Sequence, residues 1–385
     1  MRLSPFPRLY RNLNRSLEVA GILSKYGLAD WIHRHDVEFA KGIFKTADGV
    51  KIAETSLPIR IRLALSELGP TFIKLGQMLS TRADIVGAEI ANELQGLLTD
   101  APADPPDVVR SIVGVELGRP VDVVFAEFDD VPLASASIGQ VHAAMLRSGE
   151  RVVVKVQHAQ IEHKIRDDLE ILVGLAEMAE GRPELVNFRP RATAFEFQRS
   201  ILRELDFSRE ERNLTEFRNQ FGENLHVAFP QPYPEYSTSR VLTMQRFDGI
   251  RISDVDALRI AGFDLADLAK RGANVFLTMI FEARFYHADP HPGNILVLPD
   301  GKIGVLDCGM VARLDDRMAE DIGDLFMAIH EKDVERMLDA VLRLGEAPTN
   351  LDRSGLQFDL ADFTSQYAAV PVDKLDLSSA LNDVV

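Results

Sequence analysis

His287-Ala288-Asp289-Pro290-His291-Pro292-Gly293-Asn294 is followed, after two short apolar runs, by Asp307-Cys308-Gly309. An Asp, an Asn five positions on, and a second Asp beyond a β-like pair match H-x-D-x-x-x-x-N and D-x-G, the arrangement that gives a kinase-type site a base and two metal-binding groups. Between the motifs, Ile295-Leu296-Val297-Leu298 and Lys302-Ile303-Gly304-Val305-Leu306 read as strands joined at Pro299-Asp300-Gly301, a strong turn signal. Such a hairpin sets Asn294 beside Asp307. The fold then turns on whether the rest of the chain supplies the other parts of a nucleotide site, in order.

The whole chain sets bounds on that reading. Its 385 residues suffice for two or three domains, and 46% hydrophobic content is ordinary for a globular protein with a proper core. A formal net charge of -16 argues against nucleic acid as the main partner, because phosphate binding needs a basic surface or stripe. The single cysteine, Cys308, excludes an intrachain disulfide and fits a reducing compartment. No apolar run approaches the ~18 residues of a transmembrane helix, and no signal-peptide core follows Pro7. The expected location is cytoplasmic or peripheral to a membrane. Leu381 to Val385 carries no terminating feature, so a longer protein, or an anchor after Val385, stays open.

Near the N-terminus Arg2, Arg8, Arg11, Arg15, Lys25 and Arg34 face only Glu18 and Asp30, while Phe6, Leu9, Tyr10, Leu13, Leu17 and Ala20 recur at helical spacing, with Trp31 beyond. This is either a basic amphipathic helix for an anionic membrane surface or, more economically, a helix packed on its own domain. From Ser56 to Leu98 the pattern is helical again. Within it lies Pro70-Thr71-Phe72-Ile73-Lys74-Leu75-Gly76-Gln77, where Phe72, Ile73, Leu75 and Leu79 are core candidates and Lys74 and Gln77 point the same way. Asp100-Ala101-Pro102-Ala103-Asp104-Pro105-Pro106 breaks any helix and marks a domain boundary, giving a helical extension over 1–104.

After a helix over Val108 to Leu117 comes Ala134-Ser135-Ala136-Ser137-Ile138-Gly139-Gln140-Val141, whose small residues fall where G-x-G-x-x-G-x-V has glycines. Two alanines replace the first two glycines. Their Cβ atoms exclude positive φ, so the loop is stiffer than a glycine loop while its amides can still meet phosphate oxygens. A plain hairpin would look similar. In the next strand, Arg151-Val152-Val153-Val154-Lys155-Val156, the ammonium of Lys155 interrupts a β-branched run and needs an anion; an edge-strand lysine kept for solubility is the bland alternative. A helix over Phe195 to Phe221 offers Glu204 and Glu210, about 120° apart on one axis and so able to serve different partners. Arg240 to Phe247 reads as a strand ending at an inter-lobe connection, where main-chain groups from Gln245 to Phe247 would meet adenine. That gives a lobe over 105–247 and a helical second lobe over 248–385, with helices over Leu268 to Arg284 and Ala319 to Leu344.

In this order the motifs resemble the UbiB/ADCK family of atypical kinase-like proteins. The carriers are Lys74-Leu75-Gly76-Gln77 (K-x-G-Q), the alanine-rich loop from Ala134 to Ser137, Glu204-Leu205-Asp206 (E-x-D) and His287 to Asn294, and the resemblance covers about Pro70 to Val311. It implies an α+β, protein-kinase-like two-lobe fold with the helical extension over the nucleotide cleft. It implies Lys74 reaching Glu204 or Asp206, with Lys74, Gln77, Glu204 and Asp206 regulating access and nucleotide choice, and Glu210 left for Lys155. The family's extension lies where a protein kinase binds its peptide. The sequence independently lacks an A-P-E motif and any Ser, Thr or Tyr between Asp307 and Pro348 for an activation-loop phosphosite. Cys308 stands where the family usually has Phe, a departure that removes an aromatic ring beside Asp307.

The kinase template then assigns roles. ATP or ADP is the expected nucleotide and Mg2+ the expected metal, held by Asn294 and Asp307, since hard cations prefer oxygen ligands. Lys155 binds the α and β phosphates and is oriented by Glu210, while main-chain amides of Ala136 to Gly139 cover the phosphates, with Ala134, Ser135, Ser137, Ile138 and Val141 completing the loop. Asp289 accepts a proton from the attacking hydroxyl or water. His287 and His291 go to loop structure rather than metal. The resemblance further implies an ATPase or unorthodox kinase supporting isoprenoid quinone biosynthesis, ubiquinone being the usual product. Its partners would be quinone-pathway enzymes or lipid intermediates, beside an anionic membrane surface such as the inner membrane. A small-molecule or lipid kinase and a nucleotide-sensing scaffold remain alternatives.

Overall fold

The structure, a computed structural model, describes residues 12–28, 55–97, 101–181, 189–345 and 351–367. The chain divides into two compact units, one of Met1–Arg218 with Pro230–Phe247, the other of Asn219–Phe229 with Asp248–Val385. The division after Phe247 falls at the expected inter-lobe connection, whereas Asn219–Phe229, placed by the sequence in the first lobe, groups with the second unit. No helix among the described residues is long and apolar enough to cross a membrane.

The first unit begins with α1 (Leu13–Lys25), α2 (Leu57–Leu68), α3 (Pro70–Ser80), α4 (Ala83–Val86) and α5 (Ala88–Leu94). The continuous helical reading of Ser56 to Leu98 is broken at Gly69 (φ 96°) and Gly87 (φ 82°), where the chain adopts a conformation that a Cβ disfavours. Pro70 restarts the helix at its first position, where its missing N–H costs nothing. On α3 only Thr71, Phe72 and Gly76 are buried, so Ile73, Leu75 and Leu79 lie at its margin rather than in the core. Gly76, costly by propensity, is explained by packing: a Cβ there would run into the side chains of Leu65 and Leu97.

The basic character of α1 is spent internally. Arg15 Nε donates to Asp168 Oδ1 at 2.6 Å, and Thr71 Oγ1 donates to the other oxygen of that fully buried carboxylate at 2.6 Å. Lys25 pairs with Glu67 at 2.8 Å. This favours the self-packed reading for the described part of the helix; Arg2, Phe6, Arg8, Leu9, Tyr10, Arg11, Trp31 and Arg34 lie outside the described residues.

α6 (Pro106–Leu117) and α7 (Val121–Val124) lead into β1 (Phe125–Phe128), β2 (Ala134–Ser135), β3 (Gly139–Leu146) and β4 (Arg151–Gln157). There follow α8 (Ile161–Glu180), α9 (Pro190–Glu204), α10 (Phe207–Phe221), β5 (Val227–Ala228) and β6 (Val241–Gln245). The sheet is antiparallel in the order β1-β3-β4-β6, with β2 pairing β3. Alternation along β4 sends Val152, Val154 and Val156 into a core with Val109, Val113, Phe125, Leu146 and Val241. Val153 and Lys155 therefore face the other way. The single helix expected over Phe195 to Phe221 is two, α9 and α10, so Glu204 and Glu210 do not share an axis. The break follows from Asp206, which leaves the helix to cap α10: its Oδ1 accepts from Ser208 N at 3.1 Å.

In the second unit come β7 (Ile250–Arg251), α11 (Val255–Ile260), α12 (Leu265–Leu277), a π turn over Thr278–Glu282, and β8 (Phe285–His287). β9 (Ile295–Val297), β10 (Ile303–Val305), β11 (Val311–Arg313), α13 (Asp316–Glu331), α14 (Val334–Leu344) and α15 (Arg353–Tyr367) complete it. One sheet runs β5-β10-β9-β7, with β5 parallel to β10, which is why Asn219–Phe229 groups here; a second pairs β8 with β11. The expected Ala319 to Leu344 helix is interrupted at Lys332 (φ 59°), after which Asp333 caps α14 through Arg336 N.

Candidate active site

The alanine loop is a tight turn between β2 and β3. Ala134 opposes Val141 and Ser135 opposes Gln140, and Ala136 N donates to Gly139 O at 2.9 Å to close it. The amide of Ala136 is thus already used, which corrects the expectation that it covers phosphates; those of Ser137 and Ile138 remain the candidates at the tip. Gly139 is required for approach rather than for φ, because a Cβ would strike the Val156 carbonyl oxygen on β4.

Register places Lys155 opposite Val141 on one side and Leu242 on the other. Its Nζ donates to Glu210 Oε2 at 2.8 Å and lies 5.0 Å from the centroid of the Phe207 ring. Glu210 is 4% exposed and Lys155 21%, so the carboxylate is the more desolvated partner and holds the ammonium on the side of the sheet opposite the valine core. The charge argument from the β-branched strand had called for an anion here; Phe207 gave no sequence signal.

Lys74 Nζ meets Glu204 Oε1 at 2.6 Å, a contact between α3 and the end of α9. Asp206 does not meet Lys74. It caps α10, the helix that carries Glu210, so the two acids of E-x-D divide between pairing with the extension and starting the next helix. Gln77 Nε2 donates to Leu97 O at 3.3 Å and is spent within the extension. At the connection, Gln245 N donates to Gln231 O at 2.8 Å and Arg246 N to Arg151 O at 3.0 Å. Both amides are used within the unit, which takes these two N–H donors out of the main-chain groups expected to meet adenine between Gln245 and Phe247.

In the second unit the expected hairpin forms. Val305 pairs with Ile295, Leu306 N donates to Asn294 O at 2.9 Å, and Gly301 (φ 81°) turns the corner. Asn294 and Asp307 therefore leave adjacent strand ends at neighbouring register positions. Asp307 Oδ1 accepts from Gly309 N at 2.9 Å. Asp289 is exposed. His287 is buried, and its tautomer follows from its partners: Nδ1 accepts from Asp289 N at 3.1 Å, so Nε2 carries the proton it donates to the Asp307 carbonyl. One imidazole thereby ties the loop of Asp289 to the loop of Asp307. His291 Nδ1 accepts from Gly293 N at 3.0 Å, so both histidines serve loop structure. Cys308 is fully buried, a thiol where the resemblance places a ring.

Residues 96–341 match the ABC1 atypical kinase-like domain. The chain belongs to that family. A Xylella fastidiosa protein named Probable protein kinase UbiB is 36% identical over 338 residues, 86% of this chain and 61% of the relative. A Vibrio vulnificus protein of the same name is 33% identical over 97% of this chain and 69% of the relative. The chain thus spans about three fifths of the length of the first of these relatives. A solved structure of Mycobacterium tuberculosis Rv3197 in complex with erythromycin superposes with a TM-score of 0.54 at 25% identity, over 77% of this chain and 75% of that one. The fold is α+β and kinase-like. Within the ABC1 match lie Lys155, Glu204, Asp206, Glu210, Asp289, Asn294 and Asp307, whereas Lys74 and Gln77 precede it.

Proposed function

We propose that this ABC1 domain is an atypical kinase-like ATPase that binds Mg-ATP or Mg-ADP and supports isoprenoid quinone biosynthesis, ubiquinone by the name of its relatives, at a membrane surface. The observation that carries the reading is the Lys155–Glu210 ion pair at 2.8 Å, on β4 beside the strand that leaves the alanine loop. A cation fixed by a buried acid beside a small-residue turn is what phosphate oxygens need.

The donors present fit a magnesium ion. Asn294 and Asp307 offer one amide and one carboxylate oxygen from neighbouring strand ends, and Mg2+ takes few ligands from protein while keeping phosphate and water. Among the described residues no group of three or more His, Cys, Asp or Glu forms a competing cage. When bound, the metal supplies charge neutralisation to the phosphates. Lys155 binds phosphate oxygens and is kept in place by Glu210. The amides of Ser137 and Ile138 cover the phosphates from the loop tip. Asp289, exposed on its loop, accepts the proton of the attacking water or hydroxyl, and His287 keeps that loop in register with Asp307.

The test is Mg2+-dependent ATP hydrolysis by the purified chain, with and without anionic liposomes carrying a quinone-precursor-like phenol, beside Asp307→Asn. Hydrolysis that rises with both additions and vanishes in the variant supports the reading. Tight nucleotide binding without hydrolysis under every condition overturns the enzyme and leaves a nucleotide-sensing scaffold; phosphate transferred to the phenol indicates a small-molecule kinase.

A further inference from the structure

One polar network in the first unit joins the end of the helical extension to the alanine loop and has no part in the roles assigned above. Asp104 Oδ2 accepts from Ala159 N at 2.9 Å and faces His158 Nδ1 at 3.0 Å. His158 Nε2 faces the Ala136 carbonyl at 2.9 Å, and the main-chain amide of His158 donates to Ile138 O at 2.9 Å. Alongside, Ala101 N donates to Ser135 O at 3.4 Å and Asp104 N to Gln140 Oε1 at 2.6 Å.

The partners define the ring's roles. Both ring nitrogens of His158 face acceptors only, the Asp104 carboxylate and the Ala136 carbonyl, and a proton on either nitrogen ties the ring to the partner on that side. The second histidine in the network differs. His142 Nδ1 faces the Asp129 carbonyl at 2.8 Å and must donate to it, so Nε2 accepts from Gln140 Nε2 at 2.7 Å. Burial pushes the pKa of His142 down, in keeping with a neutral ring. Gln140, oriented by that ring, turns its carbonyl oxygen to Asp104 N. The carbonyls of Ser135, Ala136 and Ile138 are then all held, and the amide of Ala136 closes the turn. Few groups at the loop tip are left to move.

We propose that His158 and Asp104 are positioning residues that lock the alanine loop in its phosphate-ready shape and link it to the helical extension. The proposal rests on the nucleotide reading for its consequence, but not for its mechanics. An alanine loop cannot reach the positive-φ conformations through which a glycine loop adapts to its ligand, so its shape must be set in advance. The clamp sets it, and its other end is the segment leading out of the extension that carries Lys74.

The experiment uses the full chain as wild type, Asp104→Ala, Asp104→Asn, His158→Ala and the Asp104→Ala/His158→Ala double variant. His158 and Asp104 edge an existing cavity of about 530 Å3, so truncating either extends open space and creates no sealed void. Hydrogen exchange over 134–140 is read without nucleotide, and Kd for Mg-ADP and Mg-ATP is read with kcat at saturating nucleotide. We expect faster exchange confined to that loop in each alanine variant, and nucleotide binding weakened about tenfold with kcat changed less than about twofold. The double variant should be no worse than the more affected single, and Asp104→Asn, which keeps an acceptor oxygen, should recover most of the affinity. Unchanged loop exchange in folded alanine variants overturns the clamp, as do additive losses in the double. If His158→Ala fails to fold, the two Asp104 variants decide. If wild type binds no nucleotide, the function proposed above fails and the exchange data alone decide the clamp.

Discussion

In the first unit Lys74, Lys155 and His158 each sit against a carboxylate, at 2.6, 2.8 and 3.0 Å, whereas in the second unit Asp289 stands exposed on its loop. The first group is assembled by the fold before any ligand arrives, because each of these side chains is part of how helices, strand and loop are fastened to one another. The second group lies on strand ends and a loop, where Asp307 accepts from the Gly309 amide and Asp289 turns its charge outward. The difference predicts that changes in the first unit cost stability together with function, and that changes in the second cost function alone.

The largest expected effect is Asp307→Asn. Mg2+-dependent turnover should fall by about 10²-fold or more, with a thermal midpoint within about 2 °C of wild type, read by a coupled ATPase assay and calorimetry. A large drop in midpoint would break the comparison by showing that the second unit also relies on its acids to fold. Next is Lys155→Met, which removes the ammonium from beside the buried Glu210. It should weaken nucleotide binding by about tenfold or more and lower stability by about 1–3 kcal/mol in denaturant melts. Lys155→Met/Glu210→Gln should recover stability and leave turnover lost; if stability is not recovered, the pair was never what Lys155 contributed to the fold.

Smaller effects sharpen the contrast. Lys74 and Glu204 are 25% and 29% exposed, so Glu204→Gln should cost less than about 1 kcal/mol. Its signature is a shift in the ratio of ADP to ATP affinity. The smallest is a pH effect from His142, whose pKa burial lowers below the ordinary 6.5. Above that value the ring is neutral folded or unfolded. As pH falls through it the unfolded ring binds a proton that the folded ring resists, so stability declines on the acid side. Melts between pH 8 and 5 should show a shallower decline in His142→Gln than in wild type.

Much of this was legible in the sequence for physical reasons. A lysine inside a β-branched strand demands a counter-charge, and Pro299-Asp300-Gly301 between apolar runs demands a hairpin; the structure has both. The K-x-G-Q and E-x-D strings carried the family resemblance, and Lys74 meets Glu204. What escaped was three-dimensional. Asp206 as a helix cap looks, in sequence, like one more charge in a polar helix, which is why α9 and α10 were read as one. Gly76 looked like a costly residue until the Leu65 and Leu97 side chains against it were seen. His158 and Asp104 lie 54 residues apart, in a strand terminus and a proline-rich linker, and neither carries a periodic or motif signal. The Ala136 amide was expected to face phosphate because nothing in the spacing shows that the loop's own carbonyl claims it.

The most direct measurement is a calorimetric titration of ADP and ATP into wild type, Lys155→Met and Asp307→Asn, each with and without Mg2+. If the first unit supplies the phosphate-binding cation and the second the metal-binding oxygens, Mg2+ should tighten nucleotide binding to wild type by about tenfold. Lys155→Met should weaken binding with or without the metal, and Asp307→Asn should bind the free nucleotide normally while gaining nothing from Mg2+. Absence of nucleotide binding by wild type, or an undiminished Mg2+ effect in Asp307→Asn, would contradict the account.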